Sequence, residues 1–177
     1  MDEALEEAIE IAEHARGKLV ISHHHCTRRT NFGKSRPSLA RIDEARRRID
    51  IGMDVYPYAA SSTVLRLERC DIGIRILIAW SDPHPERANR ELPDIVRKWG
   101  CTEREAGERL LPAGTVYFQL DEGDVRNILR HPRTMAGSDG LPHDRHPHPC
   151  LWGTFPRVLG HYVREVGLFS PEEVCIV

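Results

Sequence analysis

Three short apolar runs, each closed by polar residues and separated by helix-like stretches, constrain the fold of this 177-residue chain more than anything else in it. Residues 18–22 (KLVIS) run straight into His23-His24-His25-Cys26, residues 53–56 (MDVY) are closed by Pro57, and residues 134–137 (TMAG) lead into Ser138-Asp139-Gly140. Runs this short and this apolar predict buried strands of a parallel sheet. Between the first two, Leu39, Ile42, Ala45 and Ile49 recur at helical spacing with Gly52 as the stop. Residues 115–118 predict a further strand, and a helix capped by Asp121 and running to Arg130 precedes Thr134. Repeated strand-helix units imply an α/β fold with right-handed crossovers.

The remaining stretches fit around that alternation. Residues 2–15 place Leu5, Ala8, Ile9, Ala12 and Ala15 on one helical face, and Gly17 ends the helix. Residues 59–63 look like a small polar turn, and from about residue 60 to 115 the rhythm changes as in an inserted segment. There, residues 74–80 predict a strand, and 85–99 and 102–111 predict helices, the second with Thr102 and Glu105 in capping-box positions. Near the end, Thr154 with Pro156 predicts a helix start and Gly167 its stop, and Ser170-Pro171-Glu172-Glu173 signals one more helix.

Composition narrows the class. With 40% hydrophobic residues there is material for one sizeable core, and a net charge of −2 gives no reason to expect nucleic acid as a partner. Arg46-Arg47-Arg48 stands at the end of a predicted helix, where a solvated face accounts for it. Five cysteines form no C-x-x-C pair and leave an odd count, which points to reduced thiols in the cytoplasm. No apolar run approaches the roughly 18–20 residues of a membrane helix.

His23, Tyr56, Tyr117 and Asp139 all fall at or just past predicted carboxyl ends of strands, which in a (β/α) barrel converge on one mouth. A complete barrel takes ~250 residues, so the expectation is a partial (β/α)8, TIM-type barrel. Imidazole on one strand end and carboxylate on another suit a zinc hydrolase, because the metal lowers the pKa of its water to about 7 and a carboxylate can relay the proton. A structural histidine and a turn aspartate are the plainer alternatives. His24, His25 and Cys26 cannot all face the same centre as His23, since successive side chains leave a strand on opposite sides. His143, His146, His148 and Cys150 form a second cluster on a proline-stiffened loop, read as rim or as a separate metal-binding module. Ser61-Ser62-Thr63 lacks a Gly-x-Ser-x-Gly elbow and Gly33-Lys34-Ser35 lacks the rest of a phosphate loop.

The strings ISHHHC, DVYPYAASSTVL, PAGTVYF, GSDGLPHD and HPHPCLWGTFPRVLGHYVREVGLF, in this order over nearly the whole chain, resemble the N-acyl-D-amino-acid deacylases (D-aminoacylases) of the amidohydrolase superfamily. The resemblance implies a zinc-bearing barrel that hydrolyses N-acyl-D-amino acids to a carboxylate and a D-amino acid. By position it implies His23 as a zinc ligand, Asp139 as the catalytic and metal-side aspartate, and Tyr56, Ser62, Thr63 and Tyr117 as substrate contacts, with the inserted segment over the active site.

Two departures stand out: that family has lysine where His25 stands, and arginine, which would pair with the substrate carboxylate, where Cys150 stands. A thiol supplies no bidentate cation, which leaves Arg145 or Arg157 as substitutes. The family's early His-x-His strand, its metal-binding cysteine and a further ligand histidine have no counterpart here. The chain is therefore expected to be an internal portion of such an enzyme, lacking N-terminal barrel strands and a C-terminal part, and to have little activity alone. A non-catalytic truncated remnant is the rival expectation.

Overall fold

The computed structural model describes residues 2–141 and 145–176. It divides into two compact units, one of residues 1–59, 120–139 and 149–177, the other of residues 60–119 and 140–148. One sheet is parallel and the other antiparallel, so the chain is α/β with mixed sheets.

The first unit holds the predicted alternation. Strands β1 (Leu19–Ile21), β2 (Ile51–Val55) and, later in the chain, Thr134–Ala136 form a parallel sheet with β2 in the centre. Alternation along β2 puts Ile51, Met53 and Val55 on a face that is wholly buried. There they meet Leu5 and Ile9 of α1 (Asp2–His14), Leu39, Ile42 and Ala45 of α2 (Ser35–Ala45), and Val125, Ile128 and Leu129 of the later helix Glu122–Leu129. Each such side chain contributes about 1.5–3 kcal/mol by leaving water. The opposite face carries Val20, Gly52, Asp54 and Met135, with Val20 64% and Met135 50% exposed.

Two helix boundaries differ from expectation. Helix α2 starts at Ser35, not Leu39, because the Asp124 carboxylate accepts the Gly33 and Ser35 N–H groups at 2.8 and 3.1 Å. A cap supplied from about ninety residues away satisfies donors that a local reading leaves open. Gly52, expected to stop that helix, lies inside β2 instead. Asp121 does cap its helix, its carboxylate accepting from Asp124 N–H. Leu120 N–H donates to Ala59 C=O at 3.3 Å, closing the first unit where the second begins.

In the second unit, β3 (Ser61–Val64), β4 (Arg75–Ser81), β5 (Arg90–Glu91) and β6 (Ala113–Phe118) form an antiparallel sheet in the order β3-β6-β4-β5. The small polar stretch expected to be a turn is thus β3, held by its ladder to β6. Strand β6, expected among the parallel strands, is central to this other sheet, so Tyr117 is not at the end of a parallel strand. Trp80 lies so close over Gly114 that a Cβ there would sit 2.2 Å from its Nε1, which requires glycine. The expected 85–99 helix is shortened to α3 (Leu92–Trp99), preceded by β5 and ended by Gly100 at φ 60°. Helix α4 (Glu103–Leu110) starts with the predicted Thr102–Glu105 capping box. Arg145 pairs with Asp82 and lies over Trp80, 5.3 Å from the ring centre, which fastens residues 140–148 to this unit.

The first unit resumes with α5 (Glu122–Leu129), β7 (Thr134–Ala136) and α6 (Cys150–Arg157). Helix α6 starts four residues before Thr154, whose hydroxyl instead donates back to Cys150 C=O at 2.9 Å. Pro156 withholds a donor, and beyond it residues Val158–Glu165 form a π-helix that ends at Gly167, φ 63°. Ser170 and Glu173 cap one another, but the helix they announce is only a short 3-10 turn, Glu173–Ile176. Among the described residues no helix is long and apolar enough to cross a membrane.

Candidate active site

The carboxyl ends of the three parallel strands bring together His23, Asp54 and Asp139, all in the first unit. Strand β1 ends at Ile21 and the chain turns through Ser22 to His23, which adopts φ 56°. Strand β7 ends at Ala136, and Gly137 and Ser138 lead to Asp139 at φ 49°. Non-glycine residues in the left-handed region are uncommon and cluster at functional sites. Here two of them face each other, with His23 Nδ1 3.5 Å from Asp139 Oδ1.

Asp54 completes the group from β2. Its Oδ1 accepts the His23 backbone N–H at 2.8 Å and lies 3.9 Å from His23 Nε2, while its Oδ2 accepts the Ser22 hydroxyl at 2.9 Å. Burial holds the Asp139 carboxyl above the usual carboxylate range; the nearby His23 opposes this and the Asp54 charge adds to it. A carboxyl with raised proton affinity beside an imidazole is equipped to accept and return a proton.

The other histidines separate by environment. His24 is buried and its Nε2–H donates to Ser38 Oγ at 3.0 Å, since the Ser38 hydroxyl is itself spent on Ser35 C=O. His25 is buried with neither ring nitrogen hydrogen-bonded among the described residues, and its ring lies 4.0 Å from that of Tyr56. Burial lowers the pKa of His24 to about 4 and of His25 to about 3, so both are neutral near pH 7. Tyr56, 5% exposed, also meets His23 edge-on at 5.9 Å.

Of the expected substrate contacts, Ser62, Thr63 and Tyr117 belong to the second unit. Ser62 has a buried hydroxyl without a hydrogen bond among the described residues. Tyr117 is fully buried in the core of that unit and its hydroxyl accepts the Arg66 N–H at 2.8 Å. His143 lies outside the described residues; His146 is exposed and His148 buried. Among the described residues no three His, Cys, Asp or Glu side chains gather closely enough to hold a metal ion.

Cys150 is buried with its Sγ 3.6 Å from Asp139 C=O, and burial, with the Asp139 charge, pushes the thiol up to about 11. Neither arginine considered as a substitute at this position is uncommitted. Arg145 pairs with Asp82, and Arg157 donates to Pro57 C=O at 2.6 Å while lying over Tyr58. Asp54 was not anticipated; the available signal was a carboxylate inside a run otherwise suited to a buried strand, where aspartate is disfavoured.

An imidazole and two carboxylates at adjacent parallel strand ends define an α/β protein with its polar site at the carboxyl edge of the sheet. No protein-family model matches the chain. It is 47% identical over 173 residues to the N-acyl-D-glutamate deacylase of Alcaligenes xylosoxydans xylosoxydans, covering 97% of this chain and 36% of that protein. To the D-aminoacylase of the same organism it is 47% identical over 169 residues, covering 96% and 35%. The crystal structure of N-acyl-D-glutamate deacylase from Bordetella bronchiseptica, complexed with zinc and a phosphonate mimic of the tetrahedral intermediate, superposes with a TM-score of 0.92 at 48% identity, covering 97% and 36% of the two chains. A D-aminoacylase structure described as defining a novel subset of amidohydrolases superposes with a TM-score of 0.90 at 47% identity, covering 97% and 36%. The chain belongs to the N-acyl-D-amino-acid deacylase (D-aminoacylase) family of amidohydrolases, and spans about a third of the length of the curated relatives it matches.

Proposed function

We propose that this chain carries part of the active site of a zinc-dependent deacylase that hydrolyses N-acyl-D-amino acids to a carboxylate and a D-amino acid. The observation that carries the reading is the His23–Asp139 pair on two parallel strand ends, in a chain 47% identical to such enzymes over nearly all of its length. The sheet is read as part of a (β/α)8 barrel and residues from about 60 to 115 as its inserted segment. The exposed apolar side chains Val20 and Met135, on the face that also bears Asp54, fit the interior of such a barrel. The odd number of cysteines, with no C-x-x-C pair, supports placing the enzyme in the cytoplasm.

The residues present fit zinc as part of a donor set: an imidazole nitrogen and a carboxylate oxygen, 3.5 Å apart, are ligand types the metal takes. His23 would hold the metal, with Asp139 beside it, and further donors would come from sequence these 177 residues do not span. Zinc, when bound, supplies Lewis acidity that polarises the amide carbonyl and acidifies water. Asp139 accepts the proton released as water adds to that carbonyl, then delivers it to the departing nitrogen, so that the C–N bond breaks to a carboxylate and a free amine. Tyr56, Ser62, Thr63 and Tyr117 are the proposed substrate contacts.

The test is a segment exchange. The Alcaligenes D-aminoacylase with its matching third replaced by this chain should release D-amino acid from N-acetyl-D-amino acids in a zinc-dependent manner. Asp139→Asn in that hybrid should lower kcat by about 100-fold or more. A hybrid that folds and takes up zinc yet releases nothing counts against the reading and favours a non-catalytic remnant.

A further inference from the structure

Asp54 moves no proton in the mechanism above, yet its carboxylate accepts two hydrogen bonds from the turn that follows β1. Its carboxylate accepts the His23 N–H at 2.8 Å and the Ser22 hydroxyl at 2.9 Å, and its backbone carbonyl accepts the His24 N–H at 2.8 Å. Together these bonds span the turn in which His23 takes φ 56°. A histidine held in the left-handed region costs free energy and persists where its surroundings over-determine it.

The same carboxylate reaches toward β7. A Cβ at Gly137 would lie 3.0 Å from Asp54 Oδ1 and 3.3 Å from its Cγ, so the approach of β7 to this group leaves room for glycine alone without a shift. Gly137 N–H continues the ladder beyond the strand by donating to Val55 C=O at 3.0 Å. Asp54 therefore sits between the turn that presents His23 and the segment that presents Asp139. A carboxylate with 17% side-chain exposure, in mid-sheet, needs hydrogen bonds of this kind to offset its desolvation.

We propose that Asp54 is the positioning residue of this site: by bonding the Ser22 hydroxyl and the His23 amide it holds His23 in the left-handed turn that sets the imidazole against Asp139. The proposal rests on the deacylase reading for the importance of His23 and adds to it the group that fixes His23 in place.

The test uses the whole chain without metal or substrate, followed by NMR, and compares Asp54→Asn with Asp54→Ala. Asparagine keeps an oxygen for the His23 N–H, and its amide can donate to Ser22 Oγ; alanine keeps neither. Removing the charge-assisted acceptor should speed hydrogen exchange of the His23 amide by about tenfold or more in Asp54→Ala, and asparagine should restore most of the protection. The His23 ring resonances should respond to Asp139→Asn in the wild-type and Asp54→Asn backgrounds, and that response should vanish in Asp54→Ala. Amides of Ile9 and Ile128 in the core should stay protected throughout. Unchanged His23 exchange in Asp54→Ala, equal loss in both variants, or loss of core protection as well would each overturn the assignment. An inactive segment exchange would remove the deacylase reading while leaving these signals as they are, so the two failures are distinguishable.

Discussion

Burial of two neutral imidazoles side by side makes the first unit acid-labile, to an extent that can be worked out. His24 and His25 have folded pKa values of about 4 and about 3 against an ordinary value of 6.5. Below pH 6.5 the unfolded chain takes up protons that the folded chain refuses, so the stabilisation is fully present above that pH and is lost as pH falls toward the folded values. For each group the loss between pH 7 and pH 5 is RT ln of the ratio of the unfolded-state terms, about 2 kcal/mol, hence about 4 kcal/mol for the pair. That is a large share of the roughly 5–15 kcal/mol typical of a domain. Urea unfolding at the two pH values, followed by circular dichroism, reads it directly. His24→Gln keeps the donor to Ser38, and His25→Phe keeps the ring against Tyr56 while removing two buried nitrogens that lack hydrogen bonds among the described residues. The double variant should lose about 4 kcal/mol less than the wild type over this interval. An identical pH dependence in the two proteins would refute the reasoning.

Other expectations are checked more simply. Gly137→Ala places a methyl 3.0 Å from Asp54 Oδ1 and should destabilise by about 1–3 kcal/mol in urea titrations, the range for overpacking. Thr102→Ala removes the capping box of α4 and should cost about 1 kcal/mol, read as a lower midpoint for the second unit. Cys101 is partly exposed, whereas burial pushes the thiols of Cys70 and Cys150 up to about 11; alkylation with iodoacetamide at pH 8, mapped by peptide mass, should therefore reach Cys101 well before either.

The parallel sheet was legible because KLVIS, MDVY and TMA are apolar runs with polar closure, and that signal is local. The Asp121 cap and the Thr102–Glu105 box were equally plain, since each is a contact across three residues. What escaped depends on distant partners. Ser61–Val64 carries no apolar alternation and is a strand through its pairing with β6. Residues 115–118 announce a strand, but periodicity does not say which sheet a strand joins, and the parallel sheet was the wrong home for Tyr117. The start of α2 rests on Asp124, and the turn at His23 on Asp54, each across a long stretch of sequence. Of the site, the residues set beside glycine or in a histidine run were visible, while a solitary aspartate within a strand matched no motif.

The bond from Leu120 N–H to Ala59 C=O means that the first unit meets itself on either side of residues 60–119. Loop closure grows costlier only with the logarithm of length: from a turn of about four residues to this excursion is about four doublings, or about 2.4 kcal/mol. A body with its own core offsets that cost from within. Residues 60–119 can thus be exchanged, enlarged or trimmed as a cassette, provided that the two ends return to within hydrogen-bonding distance, and any replacement would have to rebuild or forgo the Asp82 and Trp80 contacts that Arg145 makes within the second unit.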